Sequence, residues 1–342
     1  VIIHTPGLDD EGTLGEERVR RARRVPDQTD IAVLVVDAAA GLSQADRGLT
    51  QLFEERHIPY VIAMNKADLV TVPENIPENM IFVSAPENGN IHALKEKIAA
   101  LVRSVPPARE LIADLVSPGD AVVLVTPIDS AAPKGRLILP QQQTIRSLLD
   151  AGCIPVVTRE TELARTLSLL REPPALVVTD SQAFGMVSRI VPDSVRLTSF
   201  SILFARYKGD LRTAVLGAAA LRQLKDGDTV LISEGCTHHR QCGDIGTEKL
   251  PRWDRQYTGR DIRFVFTSGG EFPENLSPYA LIIHCGACML GEREMQSRLR
   301  RAAEQCIPVT NYGIAIAQIH GILDRALRPF SALHAEWKKQ QQ

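Results

Sequence analysis

Tyr60-Val-Ile-Ala-Met-Asn-Lys-Ala-Asp68 is an apolar, β-rich run that stops on a short polar tetrad. Its apolar positions are continuous, which suits a strand buried on both faces of a parallel sheet. His57-Ile-Pro precedes it, and Pro at a strand's first residue loses no ladder bond. The same junction recurs as Cys153-Ile-Pro-Val-Val and Cys306-Ile-Pro-Val-Thr, each after a helical stretch and each opening a strand. The copies predict three similar α/β units, one per domain. They also place Cys153 and Cys306 in the slot that His57 fills. A buried free Cys packs as a small hydrophobe, so both are expected to be structural fillers.

Working outward, strands are expected over residues 31–37, 60–64, 81–84, 121–126, 155–158, 175–179, 229–233, 262–267 and 279–284, with another near 195–199. Helical patterns lie between most of them. Alternating β and α implies α/β folding in three doubly wound domains. Breakers such as Val105-Pro-Pro-Ala divide the chain into units 1–105, 106–196 and 197–342, the last ending in a polar Lys338-Lys-Gln-Gln-Gln tail.

At 342 residues the chain has room for two or three domains. With 44% hydrophobic and 23% charged residues it reads as globular, and no apolar run approaches the roughly 18 residues of a membrane span. A net charge of −2, with both signs spread along the chain, gives no nucleic-acid footprint. The one basic cluster, Arg18-Val-Arg-Arg-Ala-Arg-Arg24, reads as a solvated helix face. The opening Val1-Ile-Ile, without Met or a charged leader, looks like the middle of a strand, so a fragment is expected. Six cysteines without a secretory signal read as metal or redox sites before disulfides, and imply a cytoplasmic location.

Asn65-Lys66-Ala67-Asp68 has the place and spacing of a guanine-specificity motif, NKxD. A carboxylate there accepts two hydrogen bonds from guanine, whereas adenine lacks that donor pair and leaves the acceptor unpaired. Alone, the tetrad could equally be a helix N-cap after a strand. Two neighbours support the nucleotide reading. Ser84-Ala85 follows the next strand, where a backbone N–H would meet the guanine O6. Upstream, Thr5-Pro6-Gly7 follows an apolar run, and Gly7 would bring its N–H close to a γ-phosphate. In this order the motifs resemble the TRAFAC-class GTPases.

Cys236-Thr237-His238 follows one predicted strand, and His284-Cys285-Gly286-Ala287-Cys288 follows another. Open α/β sheets place ligands at such carboxyl ends. A C-x-x-C turn lets two thiolates converge, Cys236 supplies a third, and His238 or His284 is a candidate fourth ligand or supporting residue. His239 reads as solvated loop and Cys242 as a lesser alternative ligand. On the motif alone, a 4Fe–4S cluster and a structural zinc fit equally well. A redox dithiol at Cys285 and Cys288 would leave Cys236 and His238 unexplained.

The combination of TPG, NKAD and SA with C-x-H and H-C-x-x-C resembles the FeFe-hydrogenase maturation GTPase family (HydF), over all three units. The resemblance implies a partial GTPase domain, a middle dimerisation domain, and a C-terminal domain holding a 4Fe–4S cluster on Cys236, Cys285 and Cys288, with His238 and His284 matching the motif histidines. It implies a cytoplasmic scaffold, or metallochaperone. This would receive a diiron precursor made with radical-SAM maturases and deliver it to apo FeFe-hydrogenase, as a homodimer that engages neither nucleic acid nor membrane. GTP and Mg²⁺ would serve to modulate partner contacts. The alternatives are an RNA- or ribosome-associated GTPase with a zinc module, and a redox enzyme. Near-neutral charge disfavours the first, and the absence of a flavin or nicotinamide fingerprint disfavours the second.

The sequence departs from the GTPase pattern twice. His4 stands where such GTPases carry Asp in DTPG, and an imidazole cannot supply that negative charge to a Mg²⁺ shell. No G-x-x-x-x-G-K-[ST] phosphate loop occurs. Nucleotide contacts would rest on Thr5, Pro6, Gly7, Asn65, Lys66, Asp68, Ser84 and Ala85 alone. A fluorescent GTP analogue is therefore expected not to bind this chain at micromolar concentration; saturable micromolar binding contradicts that.

Overall fold

The computed structural model describes residue 26 and residues 29–104, 109–128, 137–235, 244–287 and 290–340. The expectations for residues 4–7 and 18–24, and for Cys236, His238, His239, Cys242 and Cys288, fall outside the described residues. Two compact units are present, one ending at residue 108 and the other beginning at Arg109.

The first unit holds a parallel sheet ordered β1 (Ala32–Asp37), β2 (Tyr60–Asn65), β3 (Met80–Phe82). The second unit holds two parallel four-stranded sheets. One contains β4 (Ala121–Val125), β5 (Ile154–Thr158), β6 (Leu176–Thr179) and β7 (Leu197–Ser199), ordered β5-β4-β6-β7. The other contains β8 (Thr229–Ser233), β9 (Arg263–Thr267), β10 (Leu281–His284) and β11 (Val309–Asn311), ordered β11-β10-β8-β9. The winding is the same in both: the first strand lies between the second and third, with the fourth beyond the third. Three parallel α/β sheets are thus the architecture that the alternating pattern predicted.

The continuous apolar runs are explained by burial on both faces. Val122 and Leu124 pack with Leu176 and Val178 on one side of their sheet, and Val123 and Val125 pack with Val177 on the other. In the last sheet Val230, Ile232, Leu281 and Ile283 face one layer, and Leu231 and Ile282 face the opposite one. The edge at β11 is covered closely. A Cβ on Gly217, at the end of the helix Leu211–Gly217, would lie 2.0 Å from the Val309 carbonyl oxygen. Only a glycine admits that approach. Among the described residues no helix is long and apolar enough to cross a membrane.

Two expectations are corrected. The strand expected over 81–84 ends at Phe82. Ser84 instead exchanges backbone hydrogen bonds with Gly89 across a tight turn, at 3.1 and 2.9 Å. The three Ile-Pro junctions also do not superimpose residue for residue. The helices Gln44–Glu55, Leu139–Asp150 and Glu292–Glu304 each close with the same pair of backbone bonds, from the two residues after the cap. The left-handed residue in that closure is His57 (φ 53°), Gly152 (φ 71°) or Cys306 (φ 56°). Cys153 sits one place later than Cys306. It is buried, as expected, with its thiol pushed up by desolvation. Cys306 occupies the left-handed position itself and is exposed, so it is not a core filler.

One buried group runs against the core's apolar logic. Asp254 lies on the inward face of the helix Leu250–Thr258, fully buried, and among the described residues neither carboxylate oxygen has a hydrogen-bond partner. Desolvation raises its pKa to about 7. The folded state therefore holds a proton that the unfolded chain releases near pH 4, so this group's contribution to stability falls as pH rises from about 4 to about 7. At roughly 1.4 kcal/mol per pKa unit the loss is on the order of 4 kcal/mol. Asp254→Asn is expected to flatten the pH dependence of the urea midpoint across that window and to be the more stable chain at pH 8. Parallel profiles for the two chains contradict this.

Candidate functional site

In the first unit, β2 and β3 bring the NKAD and SA motifs together. The Asn65 side chain accepts from the Ala85 N–H at 3.2 Å, and the Ser84 hydroxyl donates to Asp68 Oδ1 at 2.6 Å. Ala67 donates its N–H to the Val83 carbonyl at 3.0 Å, tying the two loops by backbone as well. Lys66 takes a left-handed conformation (φ 62°), and its Nζ lies 2.6 Å from Asp37 Oδ2 at the end of β1. Each group holds the other charged: the lysine lowers the Asp37 pKa, and Asp37 raises that of Lys66. The Ser84 bond fixes one oxygen of Asp68, which orients the carboxylate. Sequence reasoning missed Asp37. Its signal was a carboxylate at the carboxyl end of the strand that pairs directly with β2.

In the second unit, β8 and β10 are neighbours in parallel register, with Ser233 opposite His284. They are the first and third strands of their sheet. Their carboxyl ends form the switch point where the connections part to opposite sides, which is where such sheets hold ligands. Cys285 donates its N–H to the Ser233 carbonyl at 2.9 Å. Gly235 donates its N–H to Cys285 Sγ at 3.0 Å. A Cβ on Gly235 would lie 2.5 Å from Leu290 Cγ, so glycine lets the backbone reach the sulfur. The chain continues from Gly235 directly into Cys236.

Strand alternation separates His284 from Cys285. Cys285 packs on the layer of Ile283 and Tyr312, whereas His284 shares a face with Ile282, towards the helix Glu292–Glu304. On the Cys285 side, Tyr312 donates to Glu234 Oε1 at 3.1 Å, and burial raises its phenol well above the usual range. On the other side, His284 is fully enclosed, and burial together with the Arg298 guanidinium lowers its pKa to about 3. From outside the sheet, Lys208 donates to the carbonyls of Ala287, at 3.4 Å, and Leu290, at 3.1 Å, bracing the loop that contains Cys288. Among the described residues no three His, Cys, Asp or Glu side chains gather as a metal site. Of the predicted metal residues, Cys285 and His284 are described, and Cys236, His238 and Cys288 lie outside the described residues. Thr5, Pro6 and Gly7 do so as well.

Family models match three successive stretches. The hydrogen maturase F dimerization domain matches residues 111–209, and the hydrogen maturase F tetramerization domain matches residues 212–329. The elongation factor Tu GTP binding domain matches residues 16–104. Among curated proteins, a tRNA modification GTPase MnmE from Streptococcus agalactiae is 31% identical over 100 residues, 28% of this chain and 21% of that protein. GTPase Era from a Thermoanaerobacter species is 28% identical over 118 residues, 31% of this chain and 39% of that protein. GTPase Der from Maridesulfovibrio salexigens is 40% identical over 62 residues, 18% of this chain and 14% of that protein. The chain thus spans well under half the length of each of these relatives.

Proposed function

The chain belongs to the hydrogen maturase F family, and on that premise we propose that it is a metallocluster scaffold and carrier with an attached GTPase domain. Cys236, Cys285 and Cys288 hold a 4Fe–4S cluster, with His238 the motif histidine assigned to the remaining iron position. The scaffold receives a diiron precursor from radical-SAM maturases and delivers it to apo FeFe-hydrogenase. GTP and Mg²⁺, bound at the GTPase domain of the whole protein, modulate those encounters. A homodimer through residues 106–196 is the working assembly, and the domain names of the two matching models support oligomerisation.

The observation that carries this reading is the Gly235 N–H aimed at Cys285 Sγ. A backbone donor on a sulfur stabilises the thiolate form, and such bonds are among the levers that tune iron–sulfur centres. Gly235 is followed directly by Cys236 in the sequence, so two of the three proposed thiolates follow adjacent parallel strands. Bound there, a 4Fe–4S cluster would supply an iron with one exchangeable position. The residues around it hold, orient and shield. Lys208 braces the 287–290 loop, and Ser233 fixes the Cys285 backbone.

Anaerobic reconstitution with iron and sulfide tests this. The wild-type chain is expected to turn brown, with broad visible absorbance that bleaches with dithionite, and Cys285→Ala is expected to lose that colour. A colourless protein carrying one tightly bound zinc per chain sinks the cluster reading in favour of a structural zinc module.

A further inference from the structure

Arg298, on the helix Glu292–Glu304, is almost wholly buried behind the Cys285 site and has four polar partners. Nη1 lies 3.0 Å from His284 Nε2 and 3.4 Å from Ser233 Oγ. Nη2 donates to the Gly269 carbonyl at 2.7 Å and to Glu294 Oε1 at 2.6 Å. The guanidinium also stands over the Phe272 ring, 5.2 Å from its centroid. These partners come from the ends of β8 and β10, the turn after β9, and its own helix. One side chain therefore ties together three strand ends around the switch point.

The contact with His284 has a chemical consequence. A guanidinium only donates, so Nε2 of His284 must be the acceptor. The other ring nitrogen lies 3.0 Å from the Cys285 carbonyl oxygen, which only accepts. The proton is therefore on Nδ1, and both ring nitrogens are spoken for. We propose that Arg298 is a positioning residue that fixes His284 as the Nδ1–H tautomer, so that His284 holds the Cys285 backbone from behind and does not ligate metal. The proposal rests on the cluster reading only for what Cys285 binds; the tautomer is a property of the chain itself. For Nε2 to reach a metal, the imidazole would have to give up its bond from Arg298. Lys in place of Arg298 would keep a charge but lack the planar fork that spans these partners.

Two measurements on the full chain decide it. In the metal-free protein, ¹⁵N-histidine NMR is expected to show His284 neutral with the proton on Nδ1, identified by its absence in His284→Asn. A proton on Nε2 overturns the proposal, whether or not any cluster binds. In the reconstituted protein, His284→Asn is the conservative variant, because its amide can donate to Cys285 and accept from Arg298. It is expected to retain iron like the wild type, with an unchanged nitrogen pattern in pulsed EPR of the reduced state. His284→Leu and Arg298→Met are expected to lose iron to a chelator about 10–100-fold more readily, the range for partners behind a ligand. A directly coordinated nitrogen in the wild type that disappears in His284→Asn overturns the proposal. Iron–sulfur colour failing in every chain would sink the cluster reading and leave the NMR result standing.

Discussion

The second unit depends on the parallel pairing of β8 with β10, in which Ser233 lies opposite His284. Parallel register makes both strands end at the same level, at the switch point of the sheet. Ser233 then works as a hub. Its carbonyl accepts from Cys285, and its hydroxyl accepts from Thr267 and from Arg298. Shifting the register by one residue would move His284 to the Cys285 layer and aim Cys285 into the helix Glu292–Glu304. Every other feature of the site presumes that this pairing holds.

The sheet before it, β5-β4-β6-β7, is wound identically, and its helix Leu139–Asp150 closes in the same way before the next strand. The ends of β7 and β11 even share a role: Ser199 and Asn311 each cap the helix that follows, accepting from Ile202 and Ile314. What distinguishes the two is the material at the switch point. After β8 and β10 come glycines and cysteines, Glu234-Gly-Cys and Cys285-Gly-Ala-Cys. After β6 comes Asp180, which spends its carboxylate on capping the next turn. Shared winding supplies the place, and side-chain chemistry decides whether the place binds anything.

Much of this was legible in the sequence. Continuous apolar runs gave nearly all the strands, because residues buried on both faces of a parallel sheet leave no alternation to misread. NKAD and SA came together as expected, since consecutive parallel strands deliver their ends side by side. Two things were hidden. The third Ile-Pro junction looked like the second, but the one-place shift of the left-handed residue depends on where the helix closes, and that turned Cys306 outward while Cys153 went in. His284 and Cys285 are adjacent in sequence, yet Cys285 packs with Ile283 and Tyr312 while His284 meets Arg298. Adjacency along a strand puts side chains on opposite faces, and that rule was available from the expected strand itself. Arg298 could not be found from sequence, since its importance comes from packing across a crossover.

The two faces of β10 differ in a way that fits the carrier role proposed above. Behind the sheet, the Arg298–Glu294 pair is sealed among Phe272, His284 and Ser233, and removing one partner of such a pair typically costs about 3–5 kcal/mol. That side does not rearrange cheaply, so it fixes the Cys285 backbone whatever is bound in front. In front, the contact on the Cys285 sulfur is of a weaker kind, one N–H from Gly235. Contacts of that kind can be exchanged one at a time without unfolding anything. A rigid back and an exchangeable front are what the proposed holding and handing on would require of one site, and strand alternation sets His284 and Cys285 on the two sides.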